Sequence, residues 1–427
     1  MEEKNSEKKE RKMRDSGIPW IGEVPEGWEF SKIKYHCTMK SGDNITALDI
    51  SDNGEYPVYG GNGLRGFYKI YNKNGNHILI GRQGALAGNV HLVNGKFWAT
   101  DHAVIVTLKN DVFINYFFRM LESMNLNQYA FDTAAQPGLS VSRIMNLNIV
   151  LPNLKEQHRI ADFLDSKCSE IDTLIENLSA RMESAKEYKK AVITEAVTKG
   201  LDKDAKMKDS GIEWIGKIPE GWKVAKLKQY IKNVSSGLSA VTSDSSEDSG
   251  KYILRTSAVS SEKFIESEVK SVTKQAESRL ICPVEADTVI MSRMNTSAMV
   301  GACAYVARNY ENLFVPDKLW KIKFTLELSA KYAWYLINSA PIRGWFSSTS
   351  TGASASMQNI SLTDFYNAYA PIPRVIEQRQ ISDCLDSKCA EIDALLQNYE
   401  DQIATLEEYK KVLIYEYVTG KKEVPAV

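Results

Sequence analysis

The sequence predicts an α/β (α+β) protein with two globular domains separated by two long antiparallel coiled-coil helices, related by a pseudo-two-fold axis. Three observations predict it. The chain is written twice, each copy ends in a heptad-patterned segment, and the remainder of each copy alternates short apolar runs with turn residues. A length of 427 residues exceeds one ordinary domain and allows more than one core.

The duplication is visible in two motif pairs. DSGIPWIGEVPEGWEFSKIK (15–34) recurs as DSGIEWIGKIPEGWKVAKLK (209–228), with 13 of 20 positions identical at a spacing of 194 residues. EQHRIADFLDSKCSEID (156–172) recurs as EQRQISDCLDSKCAEID (377–393), with 12 of 17 identical at a spacing of 221. The growing spacing places insertions in the second copy, and the Ser/Asp-rich TSDSSEDSG (242–250) is one candidate. Two long copies make a tandem duplication rather than a solenoid. The boundaries that follow are a flexible extension (1–14), a first globular domain (15–151), a first helical segment (152–205), a second globular domain (206–372), a second helical segment (373–422) and a short tail (423–427).

Within the globular domains, YPVYGG (56–61), HILIGR (77–82), AVIVTL (103–108), YILRTS (252–257) and DTVIMSR (287–293) read as strands bounded by Gly, Asn, Asp and Ser. FINYFFRMLESM (113–124) and LSAKYAWYLINS (328–339) carry helical spacing and should pack on those strands. Trp20, Trp28, Trp214 and Trp222 of the opening motif could touch a ligand or anchor a core. Anchoring is favoured, because a large ring kept in both copies most simply fills space.

The helical segments step by seven: Leu164, Ile171, Leu178, Ala185 and Val192 in the first, Leu385, Ile392, Tyr399, Leu406 and Leu413 in the second. No Pro or Gly interrupts either helix before Gly200 and Gly420. About 45 residues at 1.5 Å each make a helix of roughly 68 Å. Such a helix needs a partner. The two seams most simply face each other, with Leu164, Ile171, Leu178, Leu385, Ile392 and Leu406 as packing residues.

Composition and motifs exclude several classes. Net charge is −1, so DNA binding would rest on local patches. Six scattered cysteines form no CxxC pair, so neither a zinc ribbon nor a thiol redox motif is supported and no metal site is expected. No apolar run is long enough to span a bilayer, which, with reduced cysteines, points to the cytoplasm and no membrane partner. There is no phosphate-loop, HExxH or GxSxG signature, no NPPY-like tetrapeptide and no PD…ExK set, so no catalytic residues are expected. His102 beside Asp101 has no nucleophile repeated with it.

Candidate DNA-contacting residues come from the parts of the copies that differ. YGGNGLRGFYKIYNKNG (59–75) offers Tyr59, Asn62 and Arg65 on a glycine-rich hairpin. Arg82 and Gln83 follow a strand, as do Arg293 and Asn295. Gln136 and Gln358 precede the close of each domain, and Arg255 and Ser257 end another apolar run. Arginine suits the guanine O6/N7 edge, and Asn or Gln the adenine N6/N7 edge. The alternatives are a polar hairpin, ion pairs of Arg82 with Asp101 and of Arg293 with Asp317, and turn caps at the glutamines.

The opener DSGI-x-WIG-x-x-PEGW, the P-x-x-x-EQ-x-x-I-x-x-x-LD-x-K start of each helical segment and the doubled layout resemble the specificity (S) subunits of type I restriction–modification systems. The resemblance implies two target-recognition domains, each reading half of a split site on double-stranded DNA, joined by helical spacers. It further implies docking of two modification (M) subunits, which bring S-adenosylmethionine and methylate adenine. Two restriction (R) subunits would use ATP and Mg²⁺. The chain itself would be non-catalytic and hold no cofactor, as part of a site-specific deoxyribonuclease and adenine methyltransferase complex. The unlike middles imply an asymmetric target. Other readings are a coiled-coil adaptor that grips protein or glycan, and a solitary nuclease.

Overall fold

A computed structural model describes residues 11–84, 87–131, 138–238, 248–354 and 357–425. The chain divides into two compact units, one of residues 1–179 with 400–427, the other of residues 180–399. The unit boundaries therefore fall inside both long helices, Leu154–Lys199 and Val375–Val418, rather than at their ends.

Each unit holds two four-stranded sheets with matching strand order. In the first unit one sheet runs Cys37–Ser41, Ala103–Leu108, His77–Gly81, Val90–Val93, all antiparallel. In the second unit the counterpart runs Ile231–Ser235, Leu319–Phe324, Thr288–Ser292, Cys303–Val306. The other sheets each contain one parallel pair, Tyr56–Gly60 with Lys96–Ala99 and Asp248–Leu254 with Tyr310–Phe314. The expected strands form, except that the run 252–257 leaves its strand at Leu254 and turns into a short helix, Thr256–Val259. The expected helices are Ile114–Ser123 and Ala330–Asn338. A further helix, Ala340–Thr349, starts with Pro341 in its first turn, where a missing N–H costs nothing.

The core of each unit includes both long helices. In the first unit Ile160, Leu164, Cys168 and Ile171 join Leu413, Ile414 and Tyr417 in one buried cluster with Trp28 and Tyr116. The second unit combines Ile193, Ala196 and Val197 with Ile381, Leu385 and Cys389 around Trp222 and Tyr332. The two helices run antiparallel: the Phe163 ring lies tilted against Tyr417 at 4.6 Å, and Asp172 pairs with Lys410 at 2.7 Å. In the second unit Lys189 pairs with Asp393 at 2.6 Å. These are the same contact twice, since Asp393 and Lys410 lie 221 residues after Asp172 and Lys189. Of the predicted seam, Leu164, Ile171, Leu385 and Ile392 are buried, while Leu178 and Leu406 are half-buried.

The helices stop at Gly200 and Gly420, whose φ values of 79° and 72° suit glycine beyond a helix end. Each is packed by an opening-motif tryptophan: a Cβ on Gly200 would stand 3.2 Å from the Trp222 ring, and one on Gly420 2.9 Å from Trp28. Trp28 and Trp222 thus anchor cores, each against a helix end that lies in the same unit. The expected flexible extension needs correcting from Arg11 onward. Met13–Asp15 pairs with Glu23–Pro25, Arg11 pairs with Glu156, and Arg14 lies over the Phe30 ring at 4.4 Å. Among the described residues no helix is long and apolar enough to cross a membrane.

Candidate nucleic-acid interface

In the first unit three segments meet beyond the end of the strand His77–Gly81. Arg82 is exposed, and its Nη1 donates to Ser41 Oγ at 3.2 Å. Gln83, also exposed, bridges Gly138, and the Leu139 N–H donates to Arg82 O at 2.8 Å. The hairpin of Tyr56–Gly60 and Gly63–Tyr68 brings its turn onto this point: a Cβ on Gly61 would lie 3.5 Å from Gln83 O. The same glycine lies against the chain beyond the strand Lys96–Ala99, where a Cβ would stand 3.2 Å from His102 O. The turn displays Asn62 and Arg65 to solvent, with the Arg65 stem lying across Gly60. Tyr59 is half-buried and sets its ring edge-on to Phe97 at 5.6 Å, so it props the hairpin. The ion pair of Arg82 with Asp101 does not form; Asp101 stands 3.9 Å from His102 instead. Gln136 lies outside the described residues.

The second unit repeats the frame and changes the contents. Met294–Asn295 pairs antiparallel with Met357–Asn359, which sets Asn295 directly opposite Gln358. The Ile360 N–H donates to Arg293 O at 3.0 Å, matching the bond from Leu139 to Arg82. Arg293 is half-buried with its guanidinium 5.9 Å over the Trp320 ring, in place of an ion pair with Asp317. Asn295 Oδ1 accepts from the Thr296 N–H at 2.9 Å, and Ser350 Oγ donates to Gln358 Oε1. Arg255 and Ser257 sit exposed on a separate segment tied to Glu268. The Ser257 hydroxyl donates to its carboxylate at 2.6 Å, and the Arg255 N–H donates to its backbone oxygen.

Sequence reasoning passed over two residues here. Ser41 precedes Gly42, whose absent side chain allows contact with Ala99 O, just as Gly237 meets Val315 O. The echo SGD (41–43) and SGL (236–238) was the signal. His91 sits beside Gly63 with a buried Nε2 that has no partner among the described residues. Burial pushes its pKa below the usual imidazole value, against a smaller upward pull from Glu122. No echo marks it in the second copy. The two faces thus offer Arg, Asn and Gln donors and acceptors of the kind that read base edges, on one scaffold with different side chains.

Residues 25–184 match the model of the type I restriction modification DNA specificity domain. Over those residues the chain is similar to type I restriction modification DNA specificity domains. It is 43% identical over 145 residues to the Type I restriction enzyme EcoprrI specificity subunit of Escherichia coli, covering 33% of this chain and 35% of that protein. It is 31% identical over 231 residues to the Type I restriction enzyme MjaVIII specificity subunit of Methanocaldococcus jannaschii, covering 50% of this chain and 51% of that protein. The chain thus spans about a third and about half of the length of these two relatives. A chain solved in work on complex assembly and conformational transition of the type I R-M system superposes with a TM-score of 0.66 at 16% identity, over 93% of this chain and 99% of that one. The fold of that chain therefore extends over nearly the whole of this one, the second unit included.

Proposed function

We propose that this chain is the DNA-reading subunit of a type I restriction–modification assembly, each unit reading one half of a split, asymmetric site. One observation carries the reading: a duplicated frame presents unlike polar faces at the same place. Arg82, Gln83, Asn62 and Arg65 gather in the first unit, and Arg293, Asn295 and Gln358 in the second. A scaffold kept twice with different readers fits two different half-sites.

Methylation and cleavage would come from partner subunits in the cytoplasm: two M subunits with S-adenosylmethionine, and two R subunits with ATP and Mg²⁺. Paired exposed residues on the long helices support two equivalent docking places. Leu174 and Leu395 are 52% and 44% exposed, Tyr188 and Tyr409 60% and 54%, and the members of each pair are 221 residues apart. Exposed Leu and Tyr recurring at equivalent positions suit two copies of one partner.

The test is methylome sequencing of a host expressing the chain with its M subunit. A split adenine motif is expected, with its two halves exchanging independently when either unit is swapped. Absence of any split motif would refute the reading in favour of an adaptor. Cleavage of plasmid by the purified chain with Mg²⁺ alone would favour a nuclease.

A further inference from the structure

Beyond the strand arginine of the second unit, the chain makes a tight loop, 295–301, before entering the strand Cys303–Val306. Thr296, Ser297, Ala298 and Met299 form its exposed tip. Within the loop, the Val300 N–H donates to Thr296 O at 2.8 Å and the Gly301 N–H to Ser292 O at 2.7 Å. One side chain takes two of the loop's carbonyls: Arg343 donates through Nη1 to Val300 O and through Nη2 to Ala298 O, each at 2.8 Å. Gly301, at φ 82°, closes the loop against the same group, since a Cβ there would meet Arg343 Nη1 at 3.2 Å and the Phe346 ring at 2.6 Å.

The first unit places another residue at this position. Gly88, at φ 99°, occupies the place of Gly301, and a Cβ on it would stand 2.3 Å from Asn127 Oδ1. Asn127 precedes Arg343 by 216 residues, the spacing that also relates the core pair Tyr116 and Tyr332. One frame position therefore lies against the loop glycine in both units, an amide in one and a guanidinium in the other.

We infer that Arg343 is a positioning residue: it holds the 295–301 loop in the shape that presents Asn295 and the Thr296–Met299 tip to the half-site read by the second unit. The inference rests on the DNA-reading proposal. A planar guanidinium spans two carbonyls at once, whereas lysine reaches one at a time, so Arg343→Lys should restore part of what Arg343→Ala removes. Arg343 needs no contact with a base for this.

The experiment uses the full chain with its M subunit and reads methylation frequency at every matched and singly mismatched site. Arg343→Ala should relax discrimination about tenfold within one half-site, the scale of a single base-pair contact, leaving the other half unchanged. Arg343→Lys should lie between Arg343→Ala and wild type. Equal relaxation in both halves, or an unchanged motif in a folded variant, overturns the inference. If Arg343→Ala does not fold, the exposed double variant Ser297→Ala/Met299→Ala decides. It should relax the same half-site, and an unchanged motif counts against the loop. A wild-type complex that methylates no split site removes the underlying reading, and this inference falls with it.

Discussion

The glutamine in each EQ-x-x-I motif should be a structural keystone whose loss is felt in one unit only. Gln378 is fully buried; its Oε1 accepts from the Ser329 N–H at 2.8 Å, and its Nε2 donates to Pro373 O at 3.0 Å and Glu327 O at 2.8 Å. Gln157 does the same work in the first unit, accepting from the Phe113 N–H and donating to Pro152 O, both at 2.9 Å. Each ties the first turn of a long helix to the start of a helix on the globule. Glutamine to alanine strands one part-buried N–H, costing about 1 kcal/mol, and one buried C=O, costing about 1–3 kcal/mol. The third bond of Gln378 adds little, because Glu327 is exposed and its carbonyl can turn to water. Gln157→Ala and Gln378→Ala should therefore each cost about 2–4 kcal/mol and agree within about 1 kcal/mol. Urea unfolding gives the total, and hydrogen exchange resolved by peptide assigns it. Gln157→Ala should expose residues 154–164 and leave 375–385 protected; Gln378→Ala should do the reverse. A cost below about 1 kcal/mol for either variant, or exchange spread equally over both units, refutes the reasoning.

Two further predictions use the inexact copy. Trp222 Nε1 donates to Glu377 Oε1 at 2.8 Å, whereas the equivalent Glu156 is held by Arg11 and Trp28 Nε1 is buried with no partner among the described residues. Tryptophan to phenylalanine should cost about 1 kcal/mol more at 222 than at 28, as measured by urea midpoint; equal costs would mean that the Glu377 bond contributes nothing. Burial raises the pKa of Asp393, but its ion pairs with Lys189 and Lys263 outweigh this and hold the carboxyl below its ordinary value. Its stabilising contribution is present above the unfolded pKa, about 3.9, and is lost as pH falls through the lower folded value. The Lys189→Ala/Lys263→Ala variant should flatten the acid limb of the stability curve below about pH 4, and an unchanged limb would exclude the pair as its source.

The fold was legible because its evidence is periodic and repeated. Seven-residue steps gave the long helices and the buried Leu164, Ile171, Leu385 and Ile392. The twin openers gave the core tryptophans. Sequence could not show that each unit is closed by a helix end from elsewhere in the chain, as when the Tyr116 hydroxyl donates to Val418 O at 2.9 Å. That contact joins residues 302 apart, and neither end advertises it. The site was half legible. Residue type singled out Arg82, Arg293, Asn295 and Gln358, but the pairing of Asn295 with Gln358 is a matter of strand register across 63 residues. Gly42 and Arg343 act through backbone approach and carbonyl capture, which leave no mark in composition.

The contrast between frame and face is also an argument about tolerance. The contacts that recur at equivalent positions are buried or link long helices: Asp172 with Lys410 and Lys189 with Asp393, Gln157 and Gln378 on their proline carbonyls, Tyr116 and Tyr332 on the helix-end carbonyls of Val418 and Val197. The contacts that differ lie where the strand arginine emerges: Arg82 on Ser41 against Arg293 over Trp320, Asn127 against Arg343 beneath the loop glycine. A buried hydrogen bond constrains both of its partners, since changing one strands the other. An exposed side chain on a loop braced from below can change with little cost to the fold. On the proposed function, recognition can therefore vary at the tip while geometry is kept at the base, provided the brace changes with the loop. That condition singles out the position shared by Asn127 and Arg343, where frame and face meet and the two copies have already parted.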